Sequence, residues 1–92
     1  MKSTQLCRRI GGLCRKISLP SQAALLLEMF LVEKGYRNVF AIYIRWRESL
    51  NTIVFDLANQ IEHRFSTDEE QEELLESLEG YITTFVEGEK DG

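Results

Sequence analysis

Proline is nearly absent from this 92-residue chain, occurring once, and glycine occurs only six times. A loop-rich fold or a sheet of short, tightly turned strands uses both more freely, so long regular elements are expected instead. Cysteine occurs twice, at Cys7 and Cys14. Seven residues of helix separate their Cα atoms by about 10 Å, beyond the roughly 7 Å that a disulfide spans. Reduced thiols are expected, as in a cytoplasmic protein. There is one histidine, His63, and one tryptophan, Trp46. With a single imidazole the ligand choice for zinc would be Cys7, Cys14 and His63. A structural site takes four ligands at closer cysteine spacing, so no metal is expected. The chain has no phosphate-loop or dinucleotide glycine pattern, since Gly11-Gly12 alone cradles nothing. A nucleophile–base constellation is missing too, which points away from an enzyme and from any cofactor.

Long apolar runs are also scarce. The longest, AALLLEMFLV at 23–32, is interrupted by Glu28 and falls well short of the roughly 20 residues that cross a bilayer. It follows the basic residues Lys2, Arg8, Arg9, Arg15 and Lys16, but no small-residue cleavage pattern comes after it. A soluble chain that keeps its N-terminus is expected.

What is present is core-forming. Hydrophobic residues make up 43% of the chain, with five Phe and three Tyr, enough for one packed domain and too many for a disordered polymer. Charge is segregated. Residues 1–19 carry five basic and no acidic side chains, 20–66 hold five of each, and 67–92 carry ten acids against Lys90. Opposite-sign ends attract, within one fold or between chains.

Periodicity assigns the elements. Leu6, Ile10, Leu13 and Ile17 share a helical face. Gly11 and Gly12 weaken it by roughly 1 kcal/mol each relative to Ala, so 1–19 reads as a basic, loosely ordered segment with a weak or broken helix. Pro20 or Ser21 opens a second helix, which Gly35 terminates. Apolar nearly all round, that helix should be covered on more than one side. Residues 38–65 are ambiguous. Phe40, Ile42, Ile44 and Trp46 alternate as in a strand, whereas Leu50, Val54, Leu57, Ala58, Ile61 and Phe65 follow a helical face. With no turn residues to build a hairpin, helix is favoured throughout, broken near Ser49–Thr52. The alternative is an α+β fold with a strand or hairpin at about 38–56. Ser66-x-x-Glu69 and Thr67-x-x-Glu70 both read as capping boxes ahead of a last helix carrying Leu74, Leu75, Leu78, Ile82 and Phe85. Residues 87–92 read as a frayed tail. The expectation is one all-α domain over 1–92, a small bundle of four or five helices.

The acids Glu69, Glu72, Glu73 and Glu76 crowd one short helix at spacings that repel. Besides a solvated face, they offer a surface for a basic partner. Phe40, Tyr43 and Trp46, flanked by Arg45 and Arg47, have the composition of an interface anchor and equally that of a core. Arg8, Arg9, Arg15, Lys16 and Arg45-Trp46-Arg47 suggest phosphate and base contacts, but a sequence pI near 5.0 opposes nucleic acid.

The stretch with a Phe65-Ser66 entry, Asp68-Glu69-Glu70-Gln71, the Leu74-Leu75 pair and an acidic tail resembles the C-terminal helix of TyeA-type proteins. These are small helical subunits of the type III secretion gatekeeper. The resemblance covers about a third of the chain and implies binding to a larger gatekeeper protein in the bacterial cytoplasm, restraining effector export. It carries over no catalytic or ligand-binding residue. The expected function is therefore a non-enzymatic regulator, adaptor or chaperone-like subunit that binds another protein. The alternatives are a self-assembling structural protein, a homo-oligomer joined basic end to acidic end, or an inhibitor or immunity-type protein that covers a basic surface.

Overall fold

A computed structural model describes residues 1–39 and 49–91, with side chains through residue 88. The described residues form four helices, and no strand occurs among them. They are α1 (Ser3–Cys14), α2 (Pro20–Glu33), α3 (Leu50–Arg64) and α4 (Asp68–Asp91). The all-α reading holds. The strand alternative fails over 50–56, where the backbone is the first half of α3; residues 40–48 lie outside the described residues.

Each helix boundary has a local cause. α1 runs through Gly11 and Gly12 without a break, correcting the weak or broken helix expected there. Tertiary burial outweighs the propensity cost, since Leu6 and Ile10 are fully buried and Cys14 nearly so. Pro20 occupies the first turn of α2, where a missing N–H costs nothing. Gly35 ends that helix at φ 77°, with Gly35 N donating to Val32 O at 3.0 Å and Tyr36 N to Leu31 O at 2.8 Å. This is the paired-bond termination that a left-handed residue permits. Ser49 caps α3, its hydroxyl accepting from Thr52 N at 3.3 Å, so the expected break near 49–52 is a helix start. Of the two candidate capping residues, Thr67 supplies the cap bond. Its Oγ1 accepts from Glu70 N at 3.2 Å and donates to Glu70 Oε1 at 2.8 Å. α4 then continues to Asp91, so the backbone at 87–91 is helical.

α3 is the centre of the bundle: α1 packs along it most extensively and α2 next, with α4 closing the remaining side. The core is one continuous cluster that includes Leu6, Ile10, Leu27, Phe30, Leu57, Ile61, Leu75 and Ile82, drawn from all four helices. One buried polar site sits at its edge. Arg37, only 6% exposed, reaches Asp56 Oδ2 from Nη2 at 2.7 Å and Glu28 Oε1 from Nη1 at 3.4 Å. Glu28, which interrupts the apolar run in sequence, is thereby a buried charge with a cation beside it.

Candidate functional site

Charge segregation resolves first within the fold. Arg9 grips Glu72 with both guanidinium nitrogens, at 2.5 and 2.9 Å, and Lys16 approaches Glu79 at 3.4 Å. Both partners advance by seven residues, so α1 and α4 run in the same direction along a seam of opposite charge. At its start the Met1 amino group donates to Asp68 Oδ1 and to Gln71 Oε1, and Gln71 in turn donates to the Phe65 carbonyl. The guanidinium of Arg9 holds the Glu72 carboxyl below its ordinary range, chiefly by hydrogen bonding. Glu72 is thus engaged inside the molecule. Glu69, Glu73 and Glu76 are exposed and have no ion-pair partner among the described residues.

Two of the grooves among the described residues have apolar side chains in their walls. The first lies between α2 and α4 and encloses about 670 Å³, with Leu25, Leu26, Met29, Gly80, Tyr81 and Phe85 among its walls. The cover expected on more than one side of α2 is present, from α3 and α4, but it does not extend all round. The helix is apolar nearly all round, yet Leu25 is 51% exposed and Met29 46% exposed, because nothing among the described residues covers that side. Small residues on α4 make the floor open. Ser77, Gly80 and Thr84 line it, and a side chain added at Gly80 would meet nothing within 4 Å. Those three belong to a stripe that steps by four, three, four and three, Glu73-Ser77-Gly80-Thr84-Glu87, so a carboxylate stands at each end of the floor. Glu33 follows Met29 by one helical turn, and its charge acts on Tyr81, whose phenol is pushed up first by burial and then by that carboxylate. The groove is apolar in its trough and acidic at its margins. Tyr81 is fixed by an edge-on contact with Phe30, ring centroids 5.6 Å apart.

The second groove, of about 850 Å³, lies between α1 and the start of α3. Arg8 and Arg15 stand one turn to either side of Gly11 and Gly12, and Phe55 of α3 shares the same lining at 58% exposed. Both arginines are exposed and have no ion-pair partner among the described residues. Cys7 and Cys14 also line this groove as free thiols, and burial raises the Cys14 thiol to about 11, which keeps it protonated and inert.

The aromatic and arginine anchors expected from the sequence, Phe40, Tyr43, Arg45, Trp46 and Arg47, lie outside the described residues. His63 is an exposed residue of α3. Leu25, Met29 and Phe55 escape sequence reading because each sits in an element whose pattern assigns apolar residues to the core. The available signal is α2 itself, which has more apolar perimeter than a four-helix body can cover. No helix among the described residues is long and apolar enough to cross a membrane. No protein-family model, curated protein or solved structure matches the chain.

Proposed function

We propose that this protein is a cytoplasmic, non-enzymatic interaction module whose α2–α4 groove receives an apolar surface flanked by basic residues on another protein. The observation that carries this reading is the uncovered side of α2. Leu25 and Met29 are both about half exposed beside an open trough. Fully burying such a side chain is worth roughly 1.5–3 kcal/mol, so covering the exposed half of each contributes about 1 kcal/mol, the scale on which interface contacts begin to count. The unpaired carboxylates at the margins would orient a basic-flanked partner and speed its approach, contributing less to affinity. Contact, not reaction, is the chemistry proposed for the groove. The likeness of the C-terminal third, from Phe65 to the acidic tail, to gatekeeper subunits supports the same class of role, a small helical body seated on a larger protein and restraining export.

The test uses an amphipathic peptide of leucine and lysine, titrated into the isotopically labelled chain. Resonances of Leu25, Met29, Tyr81 and Phe85 should shift together, and Met29→Glu should weaken binding at least about tenfold. Leu25→Glu serves as the second variant, with circular dichroism reporting that each remains helical. A peptide of leucine and glutamate should bind more weakly. Shifts confined to the acidic face, or an affinity unchanged in both variants, would remove the groove from the reading.

A further inference from the structure

We propose that the groove's occupant is the opposite face of a second copy: the Phe55 surface between Arg8 and Arg15 docks on the α2–α4 groove of its neighbour. This rests on the groove being a protein-binding site. It commits to one partner because the chain itself carries the matching surface.

Two observations support the match. The first is charge. Arg8 and Arg15 are exposed cations with no ion-pair partner among the described residues, and Glu33, Glu73 and Glu87 are carboxylates in the same condition beside the groove. The second is apolar surface. Phe55, at 58% exposed, is the most exposed large apolar side chain among the described residues, and it projects from the basic face; Leu25 and Met29 are exposed on the acidic one. Neither face satisfies itself.

The contact joins two different surfaces of one chain. It is heterologous, so it propagates into a ring or an open array instead of closing as a symmetric pair. The apolar contact of Phe55 with Leu25 and Met29 supplies the attraction. The exposed ion pairs add little energy each but fix the orientation, and salt screens them.

Sedimentation equilibrium on the full chain tests this. The weight-average mass should rise between about 10 µM and about 500 µM protein at about 20 mM salt, and the association should weaken only modestly at about 500 mM salt. Phe55→Glu removes the projecting face and Met29→Glu the receiving one, so each variant alone should be monomeric. Mixed in equal amounts they retain one intact face apiece and should form dimers that grow no further. Arg8→Glu with Arg15→Glu provides a second lesion on the projecting face, and circular dichroism checks the fold of all variants. A wild type that stays monomeric throughout, or a mixture that stays monomeric while the wild type assembles, overturns the head-to-tail contact. The leucine–lysine peptide separates the two ideas. If a strictly monomeric wild type still binds it through Met29, self-association fails and the groove reading stands; if neither assembly nor peptide binding occurs, both fail.

Discussion

At the scale of single residues, Arg37 shows how much one side chain can hold in a core this small. Its guanidinium is 6% exposed and stands between Glu28 of α2 and Asp56 of α3, joining the loop after α2 to two helices. Replacing it with methionine keeps most of the aliphatic volume but takes away the cation from between two carboxylates, one of them buried. Removing one member of a buried ionic cluster costs about 3 kcal/mol or more, because the desolvated charge left behind loses its compensation. Arg37→Met is therefore expected to lower stability by about 3 kcal/mol in urea unfolding at pH 7. A loss below about 0.5 kcal/mol would place the cluster among surface ion pairs instead. In the sequence Glu28 registers only as a flaw in an apolar run. The other members of the cluster lie 9 and 28 positions further along, and no local pattern connects them.

Single helices are the most legible level. The caps at Ser49 and Thr67, the proline start of α2 and the glycine end at Gly35 all follow from residue types whose chemistry acts over three or four positions. Gly11 and Gly12 mislead for the same reason, since their cost is local and the burial that overrides it is not. They also lead to a prediction at this scale. A side chain added at either position meets nothing within 4 Å, and both glycines lie in the interior of α1. Gly12→Ala should thus stabilise the fold by up to about 1 kcal/mol, raising Tm by about 4–8 °C for a domain of this size. Because Gly12 also lines the groove beside Arg8 and Arg15, the same substitution should weaken head-to-tail association while strengthening the monomer. Thermal melts and sedimentation on one sample set would read both effects, and a variant that melts no higher would show the added methyl to be strained. The uncovered side of α2 is less legible, since periodicity reports how apolar a helix is but not how many neighbours reach it.

The whole molecule is organised by its charge dipole, and acid is the agent that dismantles it. The basic first helix lies along the acidic last one through Arg9–Glu72 and Lys16–Glu79, so the two ends of the chain, opposite in sign, neutralise each other across the bundle. The order of charges along the chain reveals that opposite ends exist, and leaves open whether they meet inside one molecule or between two; only the packing of α1 against α4 answers it. Full protonation of the carboxylates would leave 11 Lys and Arg side chains and one protonated His with nothing opposing them. Glu72 sets the sign of the effect. Its folded pKa lies below its unfolded one, so its contribution is fully present above the ordinary glutamate range and is lost as pH falls through the folded value. The urea midpoint should accordingly be flat from about pH 7 to about pH 5.5 and decline below about pH 4.5. Arg9→Gln returns Glu72 toward its ordinary range, so the variant should start less stable at pH 7 and converge on the wild type by about pH 3. Parallel curves for the two proteins, offset equally at both pH values, would mean that Arg9 stabilises the seam by packing its aliphatic stem and not by its charge.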